Sequence, residues 1–448
     1  MKRGLVAAVL SALIVAGQQG PAARASAPSS DLAPGEMLLA GGLTMASRRV
    51  SSSPTAALQV WVRCPSDGYG APRPGIARLT AMALVSRKVR GSSLRDEVRA
   101  HGGEITVSVF PTASEISVEV PAYVAPPLAS SLVDAVRRPR LERQAFDEAK
   151  LFLAAQQVQS TALADLSLRD ALFAQLFTSG PFHYSTYGDV KTLRTLSLAE
   201  AQSFAAAAYV PGNELIVGVG DVDSRDFARR AVALSLRAAS APPIPHSARA
   251  QYPRTAVQLG AAGPPGLALG WFGPPINDQR AATAMDFLSD YLTRPHYGLI
   301  AKAVEAQLPD AAFNGQFITL QDAGVFYFSV AGAQVDASAL SAKAQPALDA
   351  VRKAPLADAQ FAQAIDAFIT HMLRDTQTPR QLADNFGWYF TQGAAAYTPS
   401  AAGSALKGLY YQQAVALTPQ FVYQTAQKYL SAAPAVVIVG SPGAGHRR

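Results

Sequence analysis

The chain contains the same helix–turn–strand unit twice, and this repeat constrains its possible folds more than any other feature. In the first unit, a helix opened by the capping-box sequence Ser-Leu-Ala-Glu200 runs to Tyr209, and a Pro-Gly-Asn turn leads into an apolar strand that ends at Gly220. In the second unit, a helix opened by Thr-Pro runs to Tyr429, and an Ala-Ala-Pro turn leads into a strand that ends at Gly440. The Tyr-to-Gly separation is eleven residues in both units, which favours internal duplication over a coincidental match.

Each unit closes a stretch that mixes strands with amphipathic helices. Ile116, Val118 and Val120 alternate with polar residues, as a strand with one polar face requires. The segment from Ala145 to Leu176 is instead rich in Ala and Leu and contains no Gly or Pro, which is typical of helix. We therefore predict an α+β fold with two homologous halves, each a mostly antiparallel sheet covered by helices on one face.

The predicted domain boundaries follow changes in composition. Residues 239–256 are rich in Pro and small residues and have no periodicity, which indicates an exposed linker. The linker separates an N-terminal α+β domain, residues 28–238, from a C-terminal one, residues 257–448. Residues 1–27 have the basic start, apolar run and small-residue cleavage signal of a bacterial secretory signal peptide. We therefore expect export to the periplasm or to the medium, with no membrane span after cleavage.

The charge of the chain gives no sign of a nucleic-acid partner. The full sequence has a formal net charge of +7, and loss of Lys2, Arg3 and Arg24 with the signal peptide leaves 36 basic and 32 acidic residues, a net charge of +4. The basic residues are scattered, and the densest cluster, residues 137–140, is interpreted as a solvated loop. The composition therefore argues against a nucleic-acid-binding surface.

Cys64 is the only cysteine, so an internal disulfide is excluded and burial must stabilise the fold. It follows the alternating apolar run from Leu58 to Val62. We predict that Cys64 is a buried or half-buried residue at the end of a strand, rather than a reactive thiol, because no neighbouring His is present in the sequence to lower its pKa.

A helix is predicted to begin just after Gly75, because Ile76, Leu79 and Met82 fall at helical spacing. The segment Gly-Ile-Ala77 resembles the lead-in to the His-x-x-Glu-His helix of the insulinase/pitrilysin-type zinc peptidases, the family that includes the mitochondrial processing peptidases. Further segments of this chain resemble segments of that family and follow one another in the same order as in the family. These segments are Gly102-Gly-Glu104 before a strand, Tyr209-Val-Pro-Gly-Asn213, and Leu267 to Pro274. The resemblance runs from about Glu36 to Gly440 and implies the family's two-half α+β fold.

The residues that carry the chemistry of that family are absent from this sequence. Two histidines at i and i+4 of such a helix bind Zn²⁺, and the glutamate at i+3 takes a proton from the metal-bound water. Arg78 and Met82 occupy the ligand positions, and Ala81 occupies the position of the base. A guanidinium has no lone pair to give, a thioether is a poor zinc ligand, and a methyl group cannot accept a proton. The family's third ligand, a glutamate on a later helix, matches Gln157, so the resemblance implies no catalytic residue, metal ligand or cofactor in this chain, and zinc in a partner subunit.

Other candidate sites are weaker. The six histidines are far apart in the sequence and none pairs with another at metal-ligand spacing; they are His101, His183, His246, His296, His371 and His446. The Arg/Tyr pair with which the family holds the substrate backbone matches Glu305 and Phe313, and Arg294 precedes that segment. The resemblance implies an edge strand that an extended peptide could join through backbone hydrogen bonds. The residues of this predicted substrate-binding strand are Glu104, Ile105, Thr106, Val107 and Ser108.

Three hypotheses on function follow. The first is a catalytically inactive subunit that pairs with an active zinc-peptidase relative and forms a peptide-degrading chamber with it. The second is a stand-alone periplasmic peptide-binding or scaffold protein with the same fold. The third, an active zinc peptidase, requires ligands that the sequence does not contain.

Overall fold

The protein is described here from a computed structural model. The structure describes residues 37–40, 43–89, 91–137, 139–233, 242–251, 255–259, 265–332, 335, 337–392 and 409–440. The predicted signal peptide, residues 1–27, lies outside this part of the chain. No helix of the described part is both long and apolar enough to cross a membrane.

The first sheet has six strands and lies in the N-terminal half. Its strands are β1 (Met37–Ala40), β2 (Leu43–Arg49), β3 (Thr55–Arg63), β6 (Glu104–Phe110), β7 (Ala113–Pro121) and β8 (Glu214–Gly220), and a separate two-residue pairing joins β4 (Lys88–Val89) and β5 (Ser92–Ser93). The strand order is β1-β2-β8-β3-β7-β6. Only β2 and β8 pair in parallel, and every other neighbouring pair is antiparallel.

The second sheet repeats this topology with five strands. They are β9 (Thr255–Leu259), β10 (Gly266–Phe272), β11 (Ala312–Ile318), β12 (Val325–Ala331) and β13 (Ala435–Gly440). Their order, β11-β12-β10-β13-β9, is that of β6-β7-β3-β8-β2, and the parallel pair is again at the equivalent place, β13 with β9. The strands of the repeated sequence unit, β8 and β13, occupy equivalent positions. The structure therefore confirms the predicted α+β fold of two homologous, mostly antiparallel halves.

One face of each sheet is covered by helices of its own half. In the first half they are α1 (Ile76–Ser86), α2 (Leu94–Ala100), α3 (Ala125–Arg137), α4 (Arg143–Ala162), α6 (Val190–Thr195), α7 (Leu198–Ala208) and α8 (Ser224–Ala233). In the second half they are α9 (Gln279–Thr293), α10 (Leu299–Glu305), α11 (Ala337–Arg352), α12 (Asp358–Arg374), α14 (Leu409–Val415) and α15 (Pro419–Leu430). Each set of helices encloses its own apolar core with the sheet beneath it.

The opposite faces are covered by two exchanged helices, and this arrangement joins the halves. Helix α5 (Ala164–Leu176) belongs to the first half but packs on β10, β12 and β13, while α13 (Pro379–Thr391) belongs to the second half and packs on β3 and β8. A third apolar core lies between the sheets. The helical segment predicted from Ala145 to Leu176 is divided at Leu163, whose backbone is extended (φ −81°, ψ 106°), and this break sends α5 to the other sheet.

The described part of the predicted linker, residues 242–251, runs along the end of α5. Thr178 N donates to Ala248 O (2.8 Å) and Ala250 N donates to Leu176 O (2.8 Å), so this segment is fixed by backbone bonds. Strand β9 begins at Thr255, two residues before the predicted start of the C-terminal domain. The assignment of residues 1–27, 28–238 and 257–448 to separate units stays a prediction.

The structure tests two sequence predictions, one for Cys64 and one for the basic cluster at residues 137–140. Cys64 follows β3 and is fully buried, with its Sγ 3.5 Å from Ser114 Oγ, and burial raises the pKa of the thiol to about 12. This confirms the predicted buried strand-end position. The solvated-loop prediction is wrong for Arg137, because Arg137 ends α3 in the interior and pairs with Glu214 at 2.9 Å.

Candidate functional site

Helix α1 is buried over nearly its whole length, and a glycine turn sets where it begins. Ten of its eleven residues are buried, from Ile76 to Val85. Gly75 precedes the helix with φ +92°, a conformation that L side chains rarely adopt, and a Cβ at this position would lie 3.1 Å from the Cα of Gly188. The close approach of these two glycines brings α1 against the loop that carries Tyr187.

Arg78 on α1 is the residue that the sequence resemblance matches to the family's first zinc ligand. Its side chain is only 6% exposed, and its guanidinium lies 4.0 Å above the centre of the Tyr187 ring. Arg78 Nη1 donates to the carbonyl oxygen of Val107 on β6 (3.2 Å). Burial lowers the pKa of Arg78, and the neighbouring Tyr187 and Asp170 oppose that effect. A fixed positive charge thus stands beside the edge of the first sheet.

The other matched positions do not fit a zinc ion. Ala81 and Met82 are buried in the apolar core of the first half, and Gln157 on α4 is 8% exposed. None of these side chains is a carboxylate, an imidazole or a thiolate, and a cation would be repelled by Arg78. Throughout the described part of the chain there is no group of three His, Cys, Asp or Glu residues that could hold a metal. We therefore derive no chemistry through zinc for this chain.

The segment predicted to bind substrate forms β6, the last strand of the first sheet. β6 pairs with β7 on one side, in the register Val107 opposite Ile116, and no described strand pairs with its other side. Two side chains approach that strand: Arg78 bonds to Val107 O, and Arg380 Nη1 donates to Thr106 Oγ1 (3.3 Å). The position of Glu104 to Ser108 is thus an edge strand, and the binding of a peptide there stays a prediction.

The residues matched to the substrate-holding pair have other partners. Arg294 makes two hydrogen bonds to the carboxylate of Asp375, at 2.7 and 3.0 Å. Glu305 accepts a hydrogen bond from the backbone N–H of His296 (3.1 Å). Phe313 lies on β11, 6.5 Å between ring centres from Phe328. These contacts give Arg294 and Glu305 partners within the second half.

A buried polar network between the halves was not foreseen from the sequence. Asp384 on α13 accepts a hydrogen bond from Gln59 Nε2 (2.6 Å), and Gln59 Oε1 accepts one from Trp61 Nε1 (2.7 Å). Arg380 lies 3.9 Å from Asp384, and Glu115 on β7 is 1% exposed beside it. Burial, and then the Asp384 carboxylate, raise the pKa of Glu115 to about 8. Glu115 therefore holds a proton at neutral pH.

The proton held by Glu115 makes the stability of the protein depend on pH. Since the pKa of Glu115 is raised on folding, its contribution is complete below the unfolded-state value near 4.5 and is lost as the pH rises to about 8. The charged groups that face it are Asp384 and Arg380, with Glu119 beside Asp384. We expect Glu115→Gln, which cannot ionise, to flatten the fall in the free energy of unfolding between pH 5 and pH 8, measured by urea denaturation.

The matched control is Glu119→Gln, on the same strand but only half-buried. It should leave the pH dependence of the wild-type protein nearly unchanged. An equally steep fall in Glu115→Gln would contradict the assignment of the proton to Glu115.

An exposed apolar surface lies on α4 and at the start of α6. Leu151 is 75% exposed, Phe152 54% and Val158 62%, and Val190 at the start of α6 is 56% exposed. A groove of about 490 Å³ runs between the two helices. Its apolar lining consists of Leu151, Ala154, Val158, Val190 and Leu193. Large exposed apolar surfaces on soluble proteins mark interaction sites, so this surface is a candidate for contact with a partner.

Comparison with known proteins agrees with the fold. Residues 195–368 match the model of the peptidase M16 inactive domain. A protease from Helicobacter pylori has a similar structure, with a TM-score of 0.79, 18% identity, 91% of this chain covered and 100% of the other. The peptidase M16 inactive domain from Pseudomonas fluorescens gives a TM-score of 0.76 at 18% identity, with 92% and 99% covered. A chain of complex III2 from Candida albicans gives 0.72 at 14% identity, with 90% and 94% covered. No curated protein matches the sequence.

The duplicated sheets and the exchanged helices define a two-half α+β fold that is shared with these solved structures. The match of residues 195–368 to the peptidase M16 inactive domain and the similar solved structures agree with the resemblance to the insulinase/pitrilysin-type family. The sequence resemblance is thereby confirmed.

Proposed function

We propose that the protein is the non-catalytic subunit of a two-chain zinc peptidase, exported from the cell, which binds extended peptides and pairs with a zinc-bearing relative. The observation that carries the proposal is the edge strand β6, which lies beside an α1 helix whose metal-ligand positions hold Arg78 and Met82. An edge strand offers backbone groups to an extended peptide, whereas the site beside it has no means of cleaving one. Zinc is therefore expected in the partner.

The exposed surface on α4 supports the pairing. Leu151, Phe152 and Val158 would remain in water in a monomer, and apolar side chains on one helix face are commonly covered by a partner. A similar chain from Candida albicans occurs in complex III2. The partner that fits the proposal is a relative with an intact His-x-x-Glu-His helix.

The test is the native mass and zinc content of the tagged protein purified from its own host. We expect a complex of about twice the monomer mass that contains one zinc and a second chain with the intact motif. The Leu151→Lys variant should lose that second chain, because a charge would be buried at the interface. Val415→Lys is the matched control, since Val415 is an exposed apolar residue too (50%) but lies on α14 in the other half.

Two results would overturn the pairing. A zinc-free monomer would favour the stand-alone peptide-binding protein instead. Zinc bound to this chain alone would contradict the assignment of Arg78, Ala81, Met82 and Gln157 as residues that do not bind metal.

A further inference from the structure

Arg78 is a buried cation without a carboxylate partner. Its side chain is 6% exposed, and within the described residues no Asp or Glu forms an ion pair with it. The nearby acid, Asp170, is bonded to Arg169 at 3.1 Å. Buried charges in proteins are normally paired, because an unpaired one loses its hydration without compensation. The local group of two arginines and one aspartate therefore carries one positive charge in excess.

The guanidinium also keeps one hydrogen-bonding edge unused. Nη1 donates to Val107 O, while the buried Nε has no acceptor in the part of the chain that the structure describes. The Tyr187 ring covers one face of the guanidinium plane and thereby fixes its orientation. The remaining Nε–Nη2 edge has the fork geometry that accepts a carboxylate through two parallel hydrogen bonds.

The position of Arg78 on β6 indicates which carboxylate fits. Since Val107 O bonds to Arg78, this carbonyl points away from β7, and so does the N–H of the same residue in an antiparallel strand. By the alternation of the strand, Ile105 also presents its backbone groups outward. A peptide that adds along β6 from the side of Ile105 would therefore reach the Arg78 guanidinium at Val107, whose carbonyl oxygen is already bonded to it.

We propose that Arg78, held by Tyr187 and Val107 O, binds the C-terminal carboxylate of a peptide added along β6. This rests on the proposed function in that the ligand is an extended peptide. The guanidinium then stands where the related peptidases hold their metal, and it recognises an end of the chain instead of cleaving within it.

The test uses fluorescence anisotropy with N-terminally labelled decapeptide pools of random sequence, made either as free C-terminal acids or as C-terminal amides. We expect the wild-type protein to bind the acid pool about 10- to 100-fold more tightly, as a charge-assisted bidentate bond allows. Arg78→Gln should abolish this preference, and Arg78→Lys, which keeps the charge but not the fork, should retain only part of it. Thermal melting of each variant checks that it is folded.

The matched control is Arg87→Gln. Arg87 caps the other end of α1, is 9% exposed and has its own partner, the carbonyl oxygen of Asp134 (3.4 Å). This variant should keep the preference for the acid pool. Equal binding of acids and amides by the wild-type protein, or a preference that survives in Arg78→Gln, overturns the proposal.

Two further arms separate the possible outcomes. Ile105→Pro removes an outward N–H from β6 without removing a bond to β7, so it should weaken the binding of both pools. If it does so while acids and amides bind equally, the peptide-binding role stands and only the carboxylate site fails. If a pool enriched in Asp and Glu binds more tightly whatever its C-terminus, the assignment to the chain end is overturned. Binding of neither pool overturns the carboxylate site and the peptide role together.

Discussion

The Gly387→Ala variant should be less stable than the wild-type protein by about 3 kcal/mol, the upper end of what overpacking of a core usually costs. Gly387 lies within α13, where alanine is normally preferred to glycine by about 1 kcal/mol. At this position, however, a Cβ would fall within the indole ring of Trp61. Trp61 is fully buried, stacks on Phe110 at 5.6 Å between ring centres, and donates to Gln59. The ring therefore cannot move aside, and the clash outweighs the gain in helix propensity.

The measurement is the free energy of unfolding from urea titration. Gly70→Ala is the control, because a Cβ at Gly70 meets no atom within 4 Å, and it should change the stability little. Trp61→Phe combined with Gly387→Ala should be more stable than the sum of the two single effects predicts, since the smaller ring makes room for the methyl group. A Gly387→Ala protein as stable as wild type would mean that α13 does not pack on β3 as described.

The close contact between Gly387 and Trp61 could not be predicted from the sequence. The repeat from Tyr209 to Gly220 and from Tyr429 to Gly440 predicted two equivalent halves, because burial patterns within a segment are local. The same patterns show that α5 and α13 each bury a face, but they do not identify the surface that covers it. The exchange depends on the backbone break at Leu163, for which the sequence offers no Gly or Pro.

The match of Arg78, Ala81 and Met82 to the positions of a zinc motif rests on the sequence alone and stays a prediction. The contacts of Arg78 with Tyr187 and Val107 O cannot be predicted from the sequence. Tyr187 and Val107 are distant from each other in sequence, and the glycine contact at Gly75 brings α1 against the loop that carries Tyr187. Spatial pairing of polar residues is the information that a single sequence carries least.

The pairing of Arg137 could not be predicted from the sequence either, and its replacement has the largest expected effect on stability. In the sequence it opens a run of basic residues, but in the structure its side chain is 2% exposed and lies 2.9 Å from the fully buried Glu214. Burial raises the pKa of Glu214 to about 7, and Arg137 opposes this rise. Above that pH the carboxylate is charged and depends on Arg137 for compensation.

We expect Arg137→Met to lower the free energy of unfolding by about 3–5 kcal/mol at pH 8, as removal of one member of a buried ion pair does. The double variant Arg137→Met/Glu214→Leu should recover most of this loss, because no charge is then left buried. The deficit of the single variant should shrink toward pH 5, since Glu214 is protonated there with or without Arg137. Urea denaturation of the three proteins at both pH values provides the measurement. A loss that is the same at pH 5 and pH 8, or one that the double variant does not recover, would show that Arg137 acts through packing rather than through its charge.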